Sequence, residues 1–340
     1  MKTTLGIDIG SHSIKLIELG VNGNEISLVA AGSMPTPPKA MSSSIPADFE
    51  AVAVAIKQLV KDTGTKSHEV TIALPESKVF TRVIEVPQLS SRELTSAIKW
   101  EAEQYIPLPL DQVNVDFTIL RDSTATGTNK MEVLLVAAPK ALMDKYLTII
   151  EMSGLTAIAA ETEIIATSRA VARSIPNVKN VMVVSLGAQT TDIAILKNGI
   201  LVFTRSVSAG GDAITRAIAQ NLDFNQTQAE EYKRTYGLQS DKLEGKIVNA
   251  AKPIMDTVVN EIRRSVAFFE EKYKDQHVET IILSGGTARL PGMVIYLAQT
   301  INFEVQLVNP WIGIMRDARF NILNSEGPNF SVAVGLALRQ

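Results

Sequence analysis

The chain contains no cysteine, which excludes disulfides, thiolate nucleophiles and thiolate metal sites. Charge of one sign is also lacking: 33 Lys and Arg against 36 Asp and Glu leave a formal net charge of -3 and a pI near 5.8. With no long Lys/Arg run, there is no electrostatic case for nucleic acid or an anionic membrane surface. No stretch approaches the roughly 18 to 20 uninterrupted apolar residues of a membrane span. The N-terminus has only Lys2 before an apolar strand and lacks a signal-peptide pattern. A cytoplasmic protein is expected, reaching a membrane only through a partner. What remains is a composition of 46% hydrophobic and 20% charged residues over 340 positions, enough for two domains with substantial cores.

Two stretches organise this composition. Gly6-Ile7-Asp8-Ile9-Gly10-Ser11-His12-Ser13-Ile14-Lys15 and Val184-Ser185-Leu186-Gly187-Ala188-Gln189-Thr190-Thr191-Asp192 each read as a buried strand, a glycine turn with small hydroxyl residues, and a returning strand. The free N–H groups of such turns face an anion, and two of them can hold a phosphate chain. A third stretch, Ile281-Ile282-Leu283-Ser284-Gly285-Gly286-Thr287-Ala288-Arg289-Leu290-Pro291-Gly292, is a strand opening into paired glycines, where a flat base can lie against backbone.

Along the chain, strands are expected at 3–9, 13–19 and 25–31, a Pro/Ser-rich loop at 34–46, a helix from Asp48 and a strand at 70–74. Residues 76–158 read as an inserted α+β module: a strand at 79–86, a helix capped by Ser90 and Glu93, strands at 115–120 and 131–137 around a polar loop tip at 122–130, and a helix at 140–153. A helix is expected at 161–173 and the second hairpin at 181–196, with a further strand at 200–207. The pattern is then almost wholly helical over 213–275, with a strand at 305–308 and a final helix at 330–338.

Asp-x-Gly-Ser, Gly-Ala-x-Thr-Thr and Ser-Gly-Gly-Thr-x-x-x-Pro-Gly, in this order, resemble the nucleotide site of the actin, sugar-kinase and chaperone ATPase superfamily. The string Ala97-Ile98-Lys99-Trp100-Glu101-Ala102-Glu103-Gln104-Tyr105-Ile106-Pro107, with the first hairpin and Asn309-Pro310-Trp311, narrows this to the PilM family of type IV pilus assembly proteins, relatives of actin and FtsA. The resemblance implies an actin-like, duplicated ribonuclease-H-like, two-lobed α/β fold. Its lobe cores would be 1–75 with 159–178, joined by 330–340, and 179–210 with 279–329. A small subdomain would be inserted at 76–158, and a helical one would fill 211–278. The resemblance implies ATP or ADP with Mg²⁺ between the lobes and, as partner, the cytoplasmic N-terminal tail of a PilN-like inner-membrane protein, which would recruit the chain to the inner face of the membrane.

The same resemblance assigns candidate roles. Asp8 would orient metal-bound water, and Gly10, Ser11, His12, Ser13 and Lys15 would form the first phosphate turn, although His12 also reads as an exposed turn residue. Gly187, Ala188, Gln189, Thr190 and Thr191 would form the second. Gly210 and Gly211 either let backbone approach the phosphates or start a helix. Ser185 stands where the superfamily usually has an aspartate, which puts hydrolysis in doubt and favours a scaffold. Gly285, Gly286, Thr287 and Arg289 are candidates for the adenosine, as are Glu230 and Lys233, which could equally form a surface ion pair. Glu161 and Glu163 are candidate general bases, or carboxylates favoured at a helix start. Trp100 and Tyr105 read as packing within the module or as flanking a partner groove. The competing functions are a polymerising FtsA-like protein, for which this sequence shows no basic amphipathic tail, and a small-molecule kinase, for which no acceptor motif is present.

Overall fold

The computed structural model describes residues 2–38, 40–43, 45–122, 124 and 127–339, without the side chains of Ser91 and Lys99. The expected loop tip at 122–130 therefore lies partly outside the described residues. Two five-stranded sheets share one plan. In the first, β1 (Lys2–Ile9), β2 (Ser13–Asn22) and β3 (Glu25–Pro35) run antiparallel, and β4 (Glu69–Leu74) and β8 (Thr156–Thr162) continue in parallel beyond β1. In the second, β9 (Asn180–Leu186), β10 (Thr191–Lys197) and β11 (Ile200–Val207) form the antiparallel part, and β12 (Thr280–Ser284) and β13 (Val305–Leu307) the parallel part. Central strands covered on both faces read as continuous apolar runs, and every residue of β9 is buried.

Helices α4 (Glu163–Ser174) and α9 (Gly327–Ala337) pack together between the sheets. Their backbones meet at Gly335, where a Cβ would sit only 1.9 Å from the carbonyl oxygen of Ala166. On the outer face of the first sheet, α1 (Pro46–Thr63) and α3 (Lys140–Met152) bury Val52, Ile56, Ile149 and Ile150 against Ile7 and Ile72. The second sheet is covered by α5 (Gly211–Leu222), α6 (Gln226–Tyr236), α7 (Lys246–Lys272) and α8 (Met293–Ile301). The stripe Ile247, Ala251, Met255, Val258, Ile262 and Phe269 holds α7 to the sheet at helical spacing.

A third sheet has the order β5 (Phe80–Pro87), β7 (Lys130–Pro139), β6 (Val113–Arg121), all antiparallel, and packs on α2 (Ser91–Tyr105). The Ser90–Glu93 capping box starts that helix: Glu93 Oε2 accepts from the Ser90 N–H at 2.9 Å.

Two expectations are corrected. The helix expected from 161 begins at Glu163, because Thr156–Thr162 adds to the sheet edge beside β4, with Glu161 opposite Ala73. Trp100 does not pack within the module. It lies on the outer face of α2 and is 74% exposed, while Leu94, Ile98 and Ala102 carry the packing. Tyr105 is half-buried, with the Arg82 guanidinium 4.5 Å above its ring.

Candidate functional site

The two glycine turns face each other across a cleft between the sheets. In the first, the Gly10 N–H donates to Ser13 O at 3.1 Å and the Thr36 hydroxyl donates to Gly10 O at 2.7 Å, fixing the turn. In the second, the Gly187 N–H donates to Thr190 O at 2.9 Å. Among the described residues, the N–H groups of Ser11, His12, Ala188 and Gln189 have no partner in the chain, the condition an anion site requires. The inner part of the cleft, about 180 Å³, is lined by both turns together with Asp8, Lys15, Glu163, Ser185, Asp192 and Asn329. Thr191 sits behind the wall, donating its hydroxyl to Ala209 O.

The floor is acidic. Asp8 is buried and pairs with Lys15 Nζ at 3.2 Å. Glu163, at the start of α4, has its pKa raised well above the usual carboxylate range by burial and by the charges of Asp8 and Asp192, against the pull of Lys15. Burial pushes Asp192 up to about 6 although the Ser206 and Thr190 hydroxyls donate to it. Sequence reasoning missed Asp192: it stands directly opposite Ser185 in the β9–β10 ladder, so a carboxylate faces the cleft from the neighbouring strand. The available signal was its position immediately after the turn, on the side shared with Ser185.

The outer part of the cleft, about 450 Å³, shares His12, Ser13, Ala188, Gly286 and Asn329 with the inner part, so the two are continuous. Glu230 and Lys233 lie in its wall, and theirs is not a surface pair. Lys233 is buried, donates to Thr215 Oγ1 at 2.8 Å and to Gly211 O at 3.1 Å, and meets Glu230 at 2.6 Å. Burial opposes ionisation of Glu230, yet bonds from Lys233, Thr215 and Arg234 pull its carboxyl down to about 2. Thr287 and Arg289 line the opposite side. Arg289 pairs with Glu326 at 2.6 Å, and Asn329 donates to the same carboxylate at 2.6 Å. The Gly285 N–H is engaged by Pro328 O at 2.9 Å.

Gly210 and Gly211 do start a helix, α5. The Gly211 N–H donates to Gly187 O at 3.0 Å, so it binds the second turn and is not presented to a ligand. A Cβ on Gly211 would stand 2.6 Å from Thr287 Oγ1. His12 is exposed, as its turn position implies, but it has a partner 200 residues away: its Nε2 lies 2.8 Å from Asp212 Oδ1, bridging the cleft mouth.

Glu161 is not in this cleft. Arg169 grips its carboxylate with both guanidinium nitrogens, Nη2 to Oε2 at 2.7 Å, and Arg339 adds a contact at 3.2 Å. This cluster belongs to a separate groove of about 720 Å³ between β6 and β7 on one side and β8 and α4 on the other. Val115, Leu134, Val136, Ile165, Ala172 and Leu201 line it together with Ser168, whose hydroxyl is buried with no partner among the described residues. Trp100 and Tyr105 are not among its lining residues. Among the described residues, no helix is long and apolar enough to cross a membrane.

The duplicated sheets, the facing turns and the intervening cleft define an actin-like two-lobed fold. Residues 6–340 match the family model for type IV pilus assembly protein PilM, and the chain belongs to that family. It is similar to a solved PilM-PilN type IV pilus biogenesis complex, at 30% identity and a TM-score of 0.87, covering 99% of this chain and 98% of the other. It is 22% identical to cell division protein FtsA of Streptococcus pneumoniae serotype 2 (strain D39 / NCTC 7466), over 94% of this chain and 78% of the relative. The fold is also that of ethanolamine utilization protein EutJ from Carboxydothermus hydrogenoformans, with 15% identity, coverage of 99% and 90%, and a TM-score of 0.58.

Proposed function

We propose that this protein is a nucleotide-binding adaptor of type IV pilus assembly that grips the N-terminal tail of a PilN-like membrane protein. In this reading ATP or ADP lies in the continuous cleft, its phosphates between the two turns and its adenosine beside Glu230, Lys233, Gly286 and Thr287. Asp8, Glu163 and Asp192 bring three carboxylates toward the phosphates against the single Lys15, a balance that suits a polyphosphate accompanied by a divalent cation. Mg²⁺ would come with the nucleotide, and Asp8 would meet it through water. Glu163 is then the carboxylate placed to take a proton from water, although Ser185 in place of a second acid makes hydrolysis slow or absent.

The groove lined by β6, β7, β8 and α4 is assigned to the tail. Its lining mixes apolar side chains with polar and charged ones such as Asn114, Asp116, Glu161 and Arg169, and it runs beside β6, an edge strand with backbone groups free to pair. The domain limits given above are retained, with 76–158 as the subdomain forming one wall. The chain reaches the cytoplasmic face of the membrane through this partner. The observation that carries the reading is the likeness to the PilM-PilN complex over nearly the whole of both chains.

Isothermal titration with a synthetic peptide copying a PilN N-terminal tail, with and without Mg-ATP, tests it. One-to-one binding is expected, with an affinity that changes when ATP is present. A folded protein that binds ATP but no tail peptide would refute the adaptor assignment.

A further inference from the structure

Strands β5 and β11 are edges of different sheets and border an opening of about 580 Å³, where the inserted module meets the second lobe. β5 follows the short turn that carries the buried Glu76, and it approaches β11 where the Thr204 hydroxyl donates to Thr81 O at 3.4 Å. Among the described residues no backbone hydrogen bond joins the two strands, so each keeps an outer row of peptide groups outside its ladder. The opening shares no lining residue with the groove or with either part of the cleft. Its walls combine aromatic surface with cations. Phe203 on β11 and Phe268 on α7 pack with ring centroids 5.1 Å apart, and Phe268 is 47% exposed.

The charges do not balance. Glu85 is shared by Lys272 at 3.4 Å and Lys130 at 3.5 Å, and Glu261 by Arg205 at 2.9 Å and Arg264 at 3.6 Å. That leaves Arg82 on the Tyr105 ring, with no carboxylate paired to it among the described residues. Five cations at or beside the opening thus stand against two carboxylates, on a chain whose net charge is -3. A joint between lobes closed for structure alone would cover its aromatic face and neutralise its charges, whereas this one leaves both to solvent. We propose that the opening is a second docking surface, which takes an extended acidic segment of a partner protein. The segment's carboxylates meet Arg82, Arg205 and Lys272, and an aromatic or branched apolar side chain seats on Phe268. An extended chain suits the site because alternate side chains reach different walls while its backbone pairs with the free row of β5 or β11. The surface stands independently of the nucleotide and tail assignments.

The test is fluorescence anisotropy of a dye-labelled peptide of alternating glutamate and tyrosine, titrated with the full chain. Two controls accompany it: the same peptide with lysine for glutamate, and a single-stranded oligothymidylate, which supplies negative charge on a nucleic acid. The glutamate peptide is expected to bind, less tightly as salt is raised, and the lysine peptide is not. Arg82→Glu and Phe268→Ala both change exposed side chains, so each is expected to fold and to weaken the glutamate peptide at least about tenfold. Mg-ADP and tail-peptide affinities are expected to stay as in the wild type, since neither residue lines the cleft or the groove. No binding of the glutamate peptide, equal binding of the lysine peptide, or an affinity unmoved by Arg82→Glu would overturn the proposal. Oligothymidylate held as tightly as the glutamate peptide, with Phe268→Ala without effect, would overturn it as well, by showing an anion patch with no preference for a protein segment.

Discussion

Replacing Glu161 by Gln separates the two sites experimentally. The substitution keeps the shape of the side chain and removes the charge that Arg169 and Arg339 both engage, Arg169 through two nitrogens. Removing one partner of a buried pair costs about 3 to 5 kcal/mol when the other charge stays buried. Here the Glu161 side chain is 6% exposed, but those of Arg169 and Arg339 are 31% and 41% exposed, so water rehydrates the arginines and a loss of about 2 to 3 kcal/mol is expected. Across 340 residues the unfolding entropy is about 0.7 kcal/mol per kelvin, so the melting temperature should fall by about 3 to 4 °C. Urea denaturation would measure the free energy, and titrations would measure the ligands. Mg-ADP affinity should be unchanged, whereas tail-peptide affinity should fall because Glu161 and Arg169 form part of the groove wall. A loss below about 0.5 kcal/mol, in the range of an exposed pair, or a fall in nucleotide affinity without one in peptide affinity, would refute the placement of Glu161 as a structural anchor of the groove.

Wild-type stability relative to Glu76→Gln should decline between pH 4.5 and about 7, because the folded carboxyl binds its proton more tightly than the unfolded one does. The stabilising influence of that proton is complete below the unfolded value and lost as pH rises through the folded one, a span of about 3 kcal/mol readable from denaturation curves at several pH values. Gly211→Ala should weaken Mg-ADP binding at least about tenfold with little change in circular dichroism, since its Cβ displaces the Thr287 hydroxyl from its bond to Gly187 O. An unaltered dissociation constant would show that Thr287 does not contact the ligand. Trp100→Ala should change stability by less than about 0.5 kcal/mol and leave peptide affinity unaffected, because the side chain is exposed and outside the groove; weakened peptide binding would relocate the tail to α2.

The hairpins and the long helix were readable because their signals are local. Short segments rich in β-branched residues mark β1 and β9, the glycine turns follow at once, and α7 repeats its buried side chains at helical steps. Strand β8 was not readable: Thr-Ala-Ile-Ala-Ala-Glu-Thr has the alanine content of a helix, and only the open edge of β4, more than eighty residues earlier, makes it a strand. The same limit governs the sites. Asp8 and the Gly187 turn, singled out from local motifs, line one cleft, whereas Glu161 lies in another groove with its partner Arg339, 178 residues away. Glu76 has no motif at all, since its raised pKa comes from burial by the tertiary fold.

On the nucleotide reading of the cleft, the contact between His12 and Asp212 bears on how fast a ligand exchanges. The pair joins the two phosphate-side walls across the opening, so a ligand enters and leaves past it. A bridge that opens for each passage and closes again afterwards slows arrival and departure by the same factor. Its loss in His12→Ala should therefore accelerate both limbs of ADP exchange in stopped-flow measurements, and unchanged rates would show that the pair does not guard the opening.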